Sequence, residues 1–140
     1  MSTRLPLLLL LLGALMLTSW SCDPKRKLTQ PFQLGETVSL LFGQRADCAE
    51  CKEVTVRVLS IKDNRCPKGV NCVQAGQADV TFDITGSINQ TVELTTKRSG
   101  KQQAKVGGYT LTLKDVTPYP VDGVNVPNKQ RQAVFILEGA

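Results

Sequence analysis

Histidine is absent from all 140 residues of the chain. Its absence removes the Ser-His-Asp and Cys-His nucleophile arrangements, together with histidine-ligated zinc or iron. Cysteine-only and carboxylate sites stay open. Aromatic residues make up only 5% of the chain, and the single tryptophan, Trp20, lies in an apolar N-terminal run. A core must therefore be assembled from Val, Leu, Ile and Phe. Beyond residue 22 there is no apolar run of membrane-spanning length and no segment of ten or more residues with a helical period. The net charge is +5, with Lys25, Arg26 and Lys27 near the N-terminus and Lys97, Arg98 and Lys101 at a predicted turn. These cations are not interleaved with aromatics on one face, which argues against a nucleic-acid partner. A basic surface of this kind suits anionic lipid or polysaccharide.

The N-terminus has the layout of an export signal. Arg4 is the only charge before Asp23, and residues 5–20 are almost unbroken apolar sequence. A short positive region followed by an apolar stretch of about 15 residues is too short for a comfortable membrane span and reads as a secretory leader. The segment ends in "LTSWSC", closing on Cys22. It resembles a bacterial lipoprotein signal, in which the cysteine thiol is acylated and becomes the first mature residue. Ser21 fits that pattern; Ser19 and Trp20 depart from it. The resemblance implies a leader over residues 1–21, lipidation at Cys22, and a domain held to the membrane by acyl chains rather than by a spanning helix. The expected location is the bacterial cell envelope, facing the periplasm or the cell surface.

Residues 22–31 are charged and proline-bracketed and are read as a tether, with a single β domain over residues 32–140. Within that domain the apolar pattern has period two. Val38, Leu40 and Phe42 alternate, as do Val54, Val56 and Val58. Ala78, Val80, Phe82 and Ile84 follow the same rule, then Val92 and Leu94, then Tyr109, Leu111 and Leu113. Near the C-terminus Val134 and Ile136 alternate with Phe135 and Leu137 on the other phase, which predicts a strand covered on both faces. Glycine, proline and asparagine clusters separate these runs. Six to seven strands joined by short links predict an all-β fold, an antiparallel sandwich or a small barrel stapled by disulfides.

With Cys22 assigned to lipid, Cys48, Cys51, Cys66 and Cys72 remain. An even number in an exported chain predicts disulfides, and four cysteines allow three pairings. Cys66 and Cys72 bracket "PKGVN", where Pro67 fixes one φ and Gly69 frees another, so this stretch folds back readily. That favours 66–72 with 48–51, while the two crossed pairings stay open. "DCAEC" is also a C-x-x-C motif, but a strand-like "KEVTVRVL" follows it instead of the helix whose N-terminus would lower a thiol pKa. The C-x₅-C spacing of Cys66 and Cys72 does not match a zinc knuckle. Reduced Cys48 and Cys51 would suit copper(I), the alternative metal reading. Asp79 and Asp83 lie four apart on one strand and face away from Val80, Phe82 and Ile84, so they read as a solvated face rather than an acid/base pair. "TPYP", residues 117–120, reads as a stiff connection. No catalytic residue and no cofactor is predicted.

Two blocks of the chain, "DNRCPKGVNCVQAGQA" and "GYTLTLKDVTPYP", resemble a pattern in small secreted and lipid-anchored bacterial β domains of uncharacterised function. The first matches (D/E)-S-R-C-P-x-x-V-x-C-x-W-A-G-x-A and the second G-Y-x-L-x-L-x-x-V-x-P-Y-P. With their strands they cover roughly residues 35–137. Gln74 stands where that pattern has tryptophan, and Asn64 where it has serine. The resemblance implies a fold and a place in the cell, and makes Cys66–Cys72 the shared bridge. "DCAEC" is similar in placement to the C-x-x-C of copper-resistance and envelope-stress lipoproteins, though the likeness stops at residue 51. Together these readings predict a lipid-anchored envelope protein that is not an enzyme. Its expected role is binding, scaffolding or inhibition of another envelope protein or a polysaccharide. Copper or redox sensing through Cys48 and Cys51 is the alternative.

Overall fold

Alternation of buried with less buried residues over Ala78–Gly86, and over Val54–Asp63 with one change of phase at a bulge between Val58 and Ser60, commits two long strands to a sheet with one dry face. The computed structural model describes residues 29–140 and resolves them into two sheets packed face to face. Nine strands form in chain order: β1 (Thr29–Phe32), β2 (Thr37–Leu41), β3 (Arg45–Cys48), β4 (Val54–Asp63), β5 (Ala78–Gly86), β6 (Gln90–Thr95), β7 (Gln103–Val106), β8 (Tyr109–Thr117) and β9 (Gln132–Gly139). One sheet has the order β1-β3-β4-β5-β6 and the other β2-β9-β8-β7. The fold is an open sandwich, not a closed barrel. A 3₁₀ turn, Asn128–Gln130, precedes β9.

The strand count exceeds six to seven because β1, β3 and β7 are four-residue strands with too few positions to show a period. β1 begins inside the segment read as tether. Thr29, Gln30 and Pro31 of this strand fall within residues read as tether, and its Phe32 is buried. The pairing of β1 with β3 is parallel, an exception among otherwise antiparallel neighbours. The cause is topological. The links 33–36 and 42–44 cross from one sheet to the other instead of making hairpins within a sheet. Two crossings return the chain beside β1 in its original direction. Pro31, which cannot donate to a ladder, sits in this edge strand.

The core lies between the sheets. Phe32, Phe82 and Phe135 are its three largest side chains, contributed by β1, β5 and β9. Phe135 meets Phe82 and Phe32 edge-on, with ring centroids 5.3 and 6.1 Å apart. This trio gives a chain poor in aromatics one favourable cluster spanning both sheets. On β9 the dry face is Ala133, Phe135 and Leu137, while Val134 and Ile136 are only half-buried. Covering on the outer face is therefore partial. Phe42 is a clear departure from its predicted inward position: β2 ends at Leu41, and Phe42 is 42% exposed in the following turn.

Strand direction gives the sandwich two unlike poles. β4, β6, β2 and β8 end, and β5 and β9 begin, at one pole. It carries the turn 42–44, the loop 64–77, the turn 96–102 and the loop 118–131. The opposite pole carries the short turns 33–36, 49–53, 87–89 and 107–108.

Candidate functional site: the stapled loop pole

The loop 64–77 begins as an extension of the β4–β5 hairpin. The Asn64 N–H donates to the Gln77 carbonyl at 2.9 Å and the Cys66 N–H to the Ala75 carbonyl at 2.8 Å. Gly76 permits this close approach. Its φ is +66°, and a Cβ there would run into the Asn64 carbonyl oxygen, so only glycine fits. At the tip, Cys66 and Cys72 are joined by a disulfide with Cα atoms 5.9 Å apart. Pro67 and Gly69, the latter at φ +96°, form the bend inside the bridge.

The loop 118–131 lies alongside. A cis Thr117–Pro118 peptide turns the chain out of β8. Lys68 then pairs with Val121 as an isolated parallel bridge. The Lys68 N–H donates to the Pro120 carbonyl and the Asp122 N–H to the Lys68 carbonyl, both at 3.0 Å. The Tyr119 hydroxyl donates to the Cys66 carbonyl at 3.1 Å. The two loops thus form one platform, stapled covalently at 66–72 and stitched by backbone bonds.

Beneath the platform lies a buried charge network. Asp63, whose side chain is 0% exposed, closes β4. Arg65 donates to both of its carboxylate oxygens, Nε to Oδ1 at 2.8 Å and Nη2 to Oδ2 at 2.7 Å. Arg131 adds a third bond, Nη1 to Oδ2 at 2.6 Å. Arg65 also reaches across the sandwich to β8, donating to Asp115 Oδ1 at 2.9 Å and the Val116 carbonyl at 2.6 Å. The Tyr119 ring stacks over the guanidinium, its centroid 4.4 Å from Cζ. Burial opposes ionisation of Asp63. The Arg65 hydrogen bonds and the charges of Arg65 and Arg131 outweigh it and hold this carboxyl below its ordinary range. Burial likewise disfavours the charged form of Arg65, and its pairing with Asp63 overcomes that and raises its pKa.

Chemically this network is a lock. Among the described residues no buried side-chain nitrogen or oxygen lacks a hydrogen-bond partner. The two guanidiniums are committed to Asp63, Asp115 and main-chain carbonyls. What the platform presents outward is different in character. Val70, Val73, Tyr119, Val121 and Val124 are exposed on it, Val73 at 104% of its reference surface, and Phe42 projects from the neighbouring turn. Gln74 is exposed beside Val73.

Cys48 and Cys51 lie at the opposite pole, joined to each other with Cα atoms 5.2 Å apart. The crossed pairings are therefore not formed. Each residue is only 7% exposed and belongs to the core. They adjoin an open groove lined by Pro31, Phe32, Leu34, Glu36 and Ala49. Joined sulfurs offer no thiolate to a metal. No group of three or more Cys, Asp or Glu is arranged to hold an ion among the described residues. Asp79 and Asp83 sit half-buried on the outer face of β5, Asp79 accepting from Gln77. Cys22 falls outside the described residues.

Sequence reasoning placed both bridges but missed the lock. Asp63 and Arg65 stand inside the quoted "DNRCP", yet the partners Asp115 and Arg131 are 50 or more positions away, and nothing local marks them. Comparison with known proteins finds no matching family model, no matching curated protein and no matching solved structure.

Proposed function

We propose that this chain is a lipid-anchored protein of the bacterial cell envelope. Its β-sandwich serves a non-enzymatic role, presenting the stapled loop platform as a binding or scaffolding surface. The observation that carries this reading is the platform itself. A 14-residue hairpin extension is fixed by a disulfide, by backbone bridging to residues 120–122 and by a buried ion network, and it exposes the apolar Val70 and Val73 beside Val121 and Val124 of the neighbouring loop. Rigid loops on a rigid scaffold are the usual form of a recognition surface, and pre-organisation lowers the entropy lost on binding. Two disulfides in a small domain suit an oxidising compartment, and the leader-like residues 1–21 ending in Cys22 supply the route to it.

The test has two readouts. Mass analysis of the membrane-extracted chain is expected to find Cys22 acylated, and Cys22→Ser is expected to block its processing or to make the protein releasable from membranes by a high-salt wash. Salt-resistant membrane retention of Cys22→Ser with residues 1–21 still attached by mass argues for an uncleaved leader and against the anchor. Thiol counting under denaturing, non-reducing conditions is expected to find none of Cys48, Cys51, Cys66 and Cys72 free. Two reactive thiols mapped to 48 and 51 would move the reading to a copper or redox sensor.

A further inference from the structure

The two poles of the sandwich differ in charge as sharply as in hydropathy. Exposed Lys62, Lys68, Lys97, Arg98, Lys101 and Lys129 cluster at the loop pole, against exposed Asp115 and Asp122. The opposite pole leans acidic, with exposed Glu36, Glu50, Glu53 and Glu138 against Lys52 and Lys105. Of the large apolar side chains exposed among the described residues, all but Leu59 lie at the basic pole. Basic and apolar groups on one end, with acidic groups on the other, is the pattern of a surface that settles on an anionic bilayer.

The direction of the N-terminal chain agrees. β1 is parallel to β3 and β3 antiparallel to β4, so followed backward from Phe32 to Thr29 the chain heads the way β4 runs, toward Asp63 and the loop pole. Thr29 lies level with Arg57, through Arg45. From Arg57 to Asp63 is six residues of strand, roughly 20 Å. From Thr29 back to Cys22 is seven residues, at most roughly 25 Å when extended. A chain of that length lets an acyl group on Cys22 reach the loop pole, and Lys25, Arg26 and Lys27 stand in the sequence between Cys22 and Thr29.

We infer that the loop pole is a membrane-docking face, which lays Val70, Val73, Val121, Val124, Tyr119 and Phe42 into the interface of an anionic phospholipid bilayer and places the surrounding lysines against its headgroups. The inference rests on the lipid-anchored reading for the direction of approach. It assigns the platform's ligand, and it leaves the acidic pole and the open groove beside Cys48–Cys51 facing away from the membrane. The disulfide and the Asp63 lock then have a clear purpose: they hold apolar side chains outward that an unrestrained loop would fold back onto the protein.

The test uses the full chain with Trp20→Phe, so that an introduced tryptophan is the only one. Val73→Trp reports the loop pole and Glu50→Trp the opposite pole. In membranes of phosphatidylglycerol and phosphatidylethanolamine containing brominated acyl chains, residue 73 is expected to be quenched and blue-shifted, and residue 50 to be neither. Equal quenching at both positions, or none at 73 in a chain that remains membrane-bound, overturns the docking and leaves the anchor intact. A second arm removes the anchor. The Cys22→Ser chain is expected to co-float with phosphatidylglycerol vesicles and not with phosphatidylcholine vesicles. Neutralising Lys68 or Lys129 to Gln lowers its partitioning about fivefold each. Partitioning that ignores lipid charge and both lysines overturns the docking. So does a shift at residue 73 that needs solubilised envelope protein instead of lipid, which would assign the face to a protein partner.

Discussion

Asp63→Asn isolates the buried lock. The substitution keeps the shape of the side chain and removes its charge, leaving Arg65 and Arg131 facing each other beneath the platform. In the native fold Asp63 accepts three side-chain bonds from those two guanidiniums at 2.6–2.8 Å with no exposure of its own side chain. Breaking a buried pair by removing one partner costs about 3–5 kcal/mol, because the remaining charge stays desolvated and unpaired. Asp115→Asn supplies the internal control. It touches the same Arg65, at 2.9 Å, but its side chain is 53% exposed. Water screens that contact, so its loss is worth about 1 kcal/mol or less. Urea unfolding followed by circular dichroism measures both. With a slope of about 2 kcal/mol per molar for a domain of this size, Asp63→Asn is expected to lower the midpoint by about 2 M and Asp115→Asn by less than about 0.5 M. A domain near the low end of ordinary stability would not survive the first change. In that case the Asp63→Leu, Arg65→Met, Arg131→Met triple variant tests the same logic. Replacing the whole buried network by apolar groups is expected to recover a folded protein. Equal costs for Asp63→Asn and Asp115→Asn, or a cost below about 1 kcal/mol for the former, would refute the assignment of burial as the deciding factor.

The pH dependence follows from the same residue. The folded Asp63 carboxyl titrates below its ordinary value near 3.8. Its contribution is therefore complete above that value and is lost as pH falls through the lower folded value. The native chain is expected to lose stability on acidification more steeply than Asp63→Asn, and parallel acid limbs for the two proteins would contradict this. Replacing Cys66 and Cys72 together with serine is expected to cost about 2 kcal/mol from loop-closure entropy alone, seen as a lower urea midpoint with Cys48–Cys51 still joined by mass mapping. Gly76→Ala is expected to cost more than Gly43→Ala in the same assay. Both glycines have positive φ, but a Cβ at residue 76 meets the Asn64 carbonyl whereas one at residue 43 meets nothing within 4 Å. The Gly43 change is worth about 1 kcal/mol of backbone strain.

Local chemistry determines a large part of this protein. Period-two alternation names the buried residues of β5, and those of β4 and β8 as far as Val58 and Leu113, because a pleated strand presents one set of side chains to a dry face. Beyond those points a bulge reverses the phase and buries Ile61 and Val116. The Cys66–Cys72 bridge was legible because a bend with Pro67 and Gly69 closes upon itself within seven residues. The pairing of Cys48 with Cys51 is equally short-range. Tertiary structure alone decided what joins distant segments. A four-residue strand such as β1 or β3 has no period to read, and its parallel pairing depends on the chain crossing between sheets twice. Arg65 finds Asp115 and Tyr119, and Asp63 finds Arg131, across 50 or more positions, because the β4–β5 and β8–β9 connections happen to leave the sandwich at the same end. The scattered lysines of the sequence become a basic pole for the same reason. Sequence separation carries no information about which strand ends are neighbours, and only the stacking of the two sheets supplies it.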